Sequence, residues 1–169
     1  ETASIAMRAA ITGHLVFSTL HTNDAVSAVY RLKDVGVEPW LVASALRGVV
    51  SQRLLRKVCP HCKKGYQPSA EELALLGMPE DSHVTFYKGE GCPECHHSGY
   101  TGRRAAFEIL MLSGRLRRLI SEGANEEQRT EEARKNGFRS MRESCRRLVL
   151  EGVTSAEEAA RIINTTVDE

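Results

Sequence analysis

Four of the five cysteines in this 169-residue chain fall in two copies of one pattern, Cys59-Pro60-His61-Cys62 and Cys92-Pro93-Glu94-Cys95, 29 residues apart. A C-x-x-C turn brings two sulfurs to one point, and two such turns complete a tetrahedron. That is the geometry of a closed structural Zn²⁺ site. Lys63, Lys64, His96 and His97 follow the knuckles and partly offset the roughly −2 charge of a four-thiolate zinc centre. Gly65 and Gly99 stand at nearly the same offset after each knuckle, as a tight knuckle requires. Iron also accepts four thiolates. Two disulfides would need an oxidising compartment, and a redox C-x-x-C ordinarily comes once, beside a βαβ pattern. His61, His96 or His97 could replace a thiolate, although four cysteines already fill the tetrahedron. Cys145, in a helical pattern away from the knuckles, reads as a small buried apolar residue.

The chain is long enough for one real core with a small appendage. Its 23 Lys and Arg against 22 Asp and Glu make no general case for nucleic-acid or membrane binding. Aromatic residues, at 5%, argue against a stacking platform for single strands. No signal-peptide pattern and no apolar run of 18 residues occurs, so a cytoplasmic compartment is expected, which suits reduced cysteines. Glu1 is not Met, and an Ala-rich helical pattern begins at once. The chain therefore reads as a piece of a longer protein.

In chain order, Thr2 to Ile11 reads as a helix stopped at Thr12-Gly13. The apolar run His14 to Leu20 predicts one strand buried on both faces, as in a parallel sheet. His21-Thr22-Asn23-Asp24 stands at its carboxyl end, where open α/β sheets place their ligands. Thr22, Asn23 or Asp24 can cap the next helix, which runs to Gly36. Pro39 starts a helix of about four turns over Trp40 to Gln52, and Arg53 to Val58 leads extended into the first knuckle. Between the knuckles, Ser69 with Glu72 predicts a capping box opening a helix to Leu76, followed by a strand from Val84 to Lys88. Gly99 to Arg104 turns into a strand over Ala105 to Leu112, with Ala105, Phe107, Ile109 and Met111 on its apolar face. The last third is helical. Ser113 caps one helix, Asn125 to Asn136 is charged with little apolar face, and Ser140/Glu143 and Thr154/Glu157 form capping boxes. The tail from Asn164 is expected to fray.

Glu1-Thr2-Ala3 and the run Thr12-Gly13-His14-Leu15-Val16-Phe17-Ser18-Thr19-Leu20-His21-Thr22-Asn23-Asp24-Ala25 resemble the secretion ATPases, in the branch that powers type II secretion and type IV pilus assembly (the GspE/PilB group). The segment around His21 looks like that family's histidine box. The paired C-P-x-C knuckles followed by Gly99-Tyr100-x-Gly102-Arg103, and the capped helices of the C-terminal region, match the same branch. Pilus-retraction ATPases share the histidine box but generally lack the knuckles, which favours the extension or secretion side. The choice between pilus assembly and type II secretion stays open.

The resemblance implies an α/β fold, the C-terminal part of a RecA-like P-loop ATPase domain with an inserted four-cysteine zinc subdomain and a small C-terminal helical bundle. The boundaries it suggests are 1–58 for the core portion with the histidine box, 59–98 for the zinc subdomain, 99–112 for a return strand and 113–169 for the helical subdomain. It implies a homo-hexameric ATPase, peripheral at the cytoplasmic face of the inner membrane, that uses ATP and Mg²⁺ and passes motion to an inner-membrane platform protein. It involves no nucleic acid and no transmembrane segment. By the same resemblance His21 lies near the nucleotide's γ-phosphate and senses it. Arg31 and Arg103 match arginines that face nucleotide or a neighbouring subunit, tasks that suit a permanently charged fork. The metal ligands are Cys59, Cys62, Cys92 and Cys95. No G-x-x-x-x-G-K-[ST] motif occurs, and Glu1 matches the glutamate just after Walker B rather than the catalytic one. The 169 residues alone are therefore expected neither to bind ATP tightly nor to hydrolyse it. A stand-alone zinc ribbon that binds protein or nucleic acid is the alternative. A nucleic-acid reader would concentrate Lys and Arg on one face.

Overall fold

The apolar residues gather into two separate cores, and the chain visits each core twice. The computed structural model describes residues 1–165. By its contacts it divides into a first unit, Glu1–Ser51 with Glu108–Arg139, and a second, Gln52–Phe107 with Ser140–Glu169. No helix among the described residues is long and apolar enough to cross a membrane.

The first unit holds α1 (Thr2–Ile11), α2 (Ser27–Asp34), α3 (Pro39–Ala45), α5 (Gly114–Ser121) and α6 (Glu126–Lys135). Its core joins Val29 and Leu32 of α2, Leu41 and Val42 of α3, Leu116 and Ile120 of α5, and Leu110 and Leu112. Ser113 caps α5 as expected, accepting the Leu116 N–H. The charged stretch is a helix, α6, opened by an Asn125/Gln128 capping box and anchored by its buried Ala133.

Two expectations fail in this unit. Residues 14–20 form no strand and take no regular secondary structure, and Leu15 and Phe17 are 82% and 87% exposed. A strand of that composition needs paired edges and apolar layers on both faces, and no strand among the described residues pairs with it. The helix expected from Trp40 to Gln52 stops at Ala45. Leu46 turns extended (φ −67°, ψ 128°), and Arg117 Nη1 donates to the Ala43 carbonyl at 2.7 Å, taking a carbonyl that a longer helix would use. The β-branched Val49 and Val50 then enter a strand, β1 (Gly48–Val58). The Arg47 carbonyl accepts from Leu112 N at 3.1 Å, beside the partner strand β4 (Tyr100–Met111).

The apolar face expected on β4 is also corrected. The buried residues are Ala106, Glu108, Leu110 and Leu112, while Phe107, Ile109 and Met111 are exposed. Both faces of this strand carry apolar side chains, so alternation alone does not choose between them. Leu110 and Leu112 join the apolar core of the first unit and Ala106 that of the second.

The second unit contains the short antiparallel pair β2 (Lys63–Tyr66) and β3 (Phe86–Gly89), with Lys63 opposite Gly89 and Tyr66 opposite Phe86. It also contains α4 (Ala70–Leu75), α7 (Met141–Leu150) and α8 (Ala156–Thr165). Phe86, Leu55 and Leu76 are buried with Leu148, Val149, Ala159 and Ile163. Cys145 lies at the centre of this core, fully buried, as its helical setting predicts. The capping boxes at Ser69/Glu72 and Ser140/Glu143 form as expected. The expected Thr154/Glu157 box gives way to a serine cap one residue on. Ser155 Oγ accepts the Glu158 N–H, while Thr154 turns inward to donate to the Arg56 carbonyl at 2.8 Å. Helix α8 continues through Asn164 and Thr165 instead of fraying there, and the rest of the expected frayed tail lies outside the described residues.

Glu158 ties α8 to β1. Its carboxylate is fully buried and accepts from Arg56 N at 3.0 Å, Arg56 Nε at 2.9 Å, Arg56 Nη2 at 2.8 Å and Arg161 Nη2 at 2.7 Å. The Arg56 guanidinium also lies 4.1 Å from the centroid of the Tyr100 ring.

Candidate metal centre and histidine box

The first knuckle follows β1 directly, and the second forms a single 3₁₀ turn, Pro93–Cys95, after β3. Pairing of β2 with β3 brings the two knuckles together, because Lys63 and Gly89 are opposite one another three residues or fewer from Cys62 and Cys92. All four sulfurs lie within 4.8 Å of one another. The separations include 3.9 Å for Cys59–Cys92, 3.9 Å for Cys62–Cys95 and 3.7 Å for Cys92–Cys95. A tetrahedron with metal–sulfur bonds of about 2.3 Å has edges of about 3.8 Å, so the four thiolates fit one ion. None is in a disulfide. His61, His96 and His97 stay outside the converging group, exposed.

The thiols of the cluster do not ionise alike. The backbone N–H groups of Cys92 and Gly99 each donate to Cys95 Sγ at 3.2 Å. Burial opposes ionisation of Cys95, but these donors and the neighbouring thiols outweigh it and bring its pKa down to about 6. Burial pushes Cys62 up to about 12 against a donor from Gly91, and pushes Cys92 up as well. A divalent ion would supply the charge that ionises the remaining thiols.

Two glycines let the segments close around the cluster. Gly99 has φ +77°, and a Cβ on Gly89 would stand 2.0 Å from the Gly99 carbonyl oxygen. That oxygen accepts the Cys59 N–H at 2.9 Å, and Gly99 N serves Cys95. Gly89→Ala must therefore displace backbone that orients two ligands. It is expected to weaken Zn²⁺ affinity about 10- to 100-fold, read by competition with a chromophoric chelator. Unchanged competition would show that this close approach has no bearing on the site.

His21 is exposed, at the end of the irregular segment that precedes α2. Asp24 is the residue that serves this helix entrance, Oδ1 accepting the Ser27 N–H at 2.7 Å. Arg31 is exposed on α2. Arg103 is exposed on β4 in the second unit, so the three residues divide between the units. Sequence reasoning missed Glu108, which is buried and accepts the Ala25 N–H at 2.8 Å just after the histidine box. The available signal was a carboxylate in register with Ala106, Leu110 and Leu112.

Residues 1–161 match the family model described as type II/IV secretion system protein. The chain belongs to that family. Within the type II/IV secretion system proteins it is 46% identical over 162 residues to type II secretion system protein E of Pseudomonas aeruginosa, covering 96% of this chain and 32% of that protein. It is 46% identical over 160 residues to the type IV pilus assembly ATPase PilB of Thermus thermophilus, covering 94% of this chain and 18% of the relative. Among solved structures, a crystal structure of the pilus retraction motor PilT with bound ADP aligns with a TM-score of 0.61 and 25% identity, over 95% of this chain and 36% of that one. The chain thus spans about a third or less of the length of these relatives.

Proposed function

We propose that this chain is the C-terminal region of an ATPase that powers type II secretion or type IV pilus assembly. The observation that carries this reading is the 46% identity, over 162 and 160 residues, to proteins named for both machines. The match extends far beyond the knuckles, which disfavours a stand-alone ribbon. On this reading the fold is the later part of a RecA-like domain with a zinc subdomain and a C-terminal helical bundle. The assembled enzyme is a hexamer on the cytoplasmic face of the inner membrane, driving a platform protein there.

Cys59, Cys62, Cys92 and Cys95 would hold Zn²⁺ as a closed structural centre. Tetrahedral sulfur spacing and the lack of a fifth converging ligand among the described residues support that role. His21 would sense the γ-phosphate, and Arg31 and Arg103 would face nucleotide or a neighbouring subunit. The 169 residues contain no P-loop motif, so the phosphate cradle and the Mg²⁺ site would come from other residues of the enzyme, and this chain alone would be inactive.

The test is a chimera in which this chain replaces the matching segment of the Pseudomonas protein. The chimera should hydrolyse ATP, and His21→Ala should lower turnover at least about tenfold while leaving zinc content at one per chain. A folded, assembled chimera without hydrolysis would overturn the reading.

A further inference from the structure

In the first unit, residues of α2, α3, α5 and the start of α6 line a partly open cavity of about 220 Å³. Val29, Val42 and Ile120 give it apolar walls. The same wall carries two cations, Lys33 and Arg129, and one carboxylate, Glu126. Arg129 is only 7% exposed, and its Nε is buried with no hydrogen-bond partner among the described residues. None of the ion pairs formed among the described residues includes it. Glu126, three residues earlier on α6, lines the cavity without pairing to it. A guanidinium Nε withdrawn from water with no partner of its own is costly. An anion in the cavity would offset that cost, and the cavity is lined by this side chain.

We propose that this cavity binds a monocarboxylate carried on an apolar body. Arg129 would hold the carboxylate through charge-assisted hydrogen bonds, the exposed Lys33 would draw it in, and Val29, Val42 and Ile120 would take the hydrocarbon. Glu126 opposes a second negative charge, which favours a monoanion over a phosphate dianion. The site shares no residue with the four cysteines or with His21, Arg31 and Arg103, and it stands whether or not the proposed ATPase role holds.

The experiment is an amide-resolved NMR titration of the protein with benzoate, its neutral counterpart benzamide, and inorganic phosphate. Benzoate should give saturable shifts at Val29, Lys33 and the 124–129 segment, and benzamide should not saturate. Arg129→Gln should weaken benzoate at least about tenfold. Lys33→Gln, at an exposed position that leaves the fold intact, should weaken it about two- to fivefold, and it decides the matter if the Arg129 variant does not fold. Benzamide binding as tightly as benzoate, phosphate binding more tightly than benzoate, or benzoate affinity unchanged in the variants would each overturn the proposal.

Discussion

Replacing any one of Cys59, Cys62, Cys92 or Cys95 with serine should release the metal and unfold the knuckle region of the second unit. The β2–β3 pair is only four residues long on each strand, too short to persist unaided in water. A structural zinc ion supplies apparent binding energies of about 10–16 kcal/mol in small metal-folded peptides, on the scale of the whole stability of an ordinary domain. The expected result is loss of about one zinc per chain by elemental analysis. Amide protection at Lys63–Tyr66 and Phe86–Gly89 should disappear with it, while Leu148 and Val149, packed in the apolar core, lose less. Cys145→Ala is the control, since it removes a buried thiol from the core and should keep the metal. A Cys59→Ser protein that retained one zinc and its amide protection would refute the assignment.

The second large effect is expected at Glu158. Its carboxylate is fully buried, whereas the Arg56 and Arg161 side chains are 46% and 59% exposed. The ion pairs are therefore partly screened. Glu158→Ala should cost about 2–3 kcal/mol, less than breaking a wholly buried pair, and much of that cost comes from leaving Arg56 N without its acceptor. Burial raises the pKa of Glu158, but Arg56 and Arg161 outweigh it and hold the group below the ordinary glutamate value. A depressed folded-state pKa gives stabilisation that is complete above the unfolded value of about 4.3 and is lost as pH falls through the folded value. Urea unfolding of wild type and Glu158→Gln should therefore differ at pH 7 and converge in acid. A difference independent of pH would show that charge has no part in the contact.

The parts legible in the sequence are those set by local chemistry. The C-P-x-C spacing announces the sulfur cluster, and Ser69, Ser113 and Ser140 announce the starts of three helices. The misreadings occur where a distant residue decides. Arg117 ends α3 from across the first unit. The inward register of Glu108 is fixed by its bond to Ala25, remote in sequence. Thr154 gives up its capping role because the Arg56 carbonyl is within reach. The run at 14–20 has the composition of an interior strand, but composition does not supply neighbouring strands.

The interleaving of the two units has a consequence for how the protein is made. The first unit needs residues 108–139 to finish its core, and the second waits for α7 and α8. Neither core can close as the ribosome delivers its opening segment. The four cysteines, by contrast, are confined to Cys59–Cys95 and emerge before either core is complete. Ion capture at the knuckles would then be the earliest long-lived tie in the nascent chain. It would hold β1 and the start of β4 together until Glu158 arrives to receive Arg56, so a shortage of metal during synthesis would be felt as a defect in folding yield.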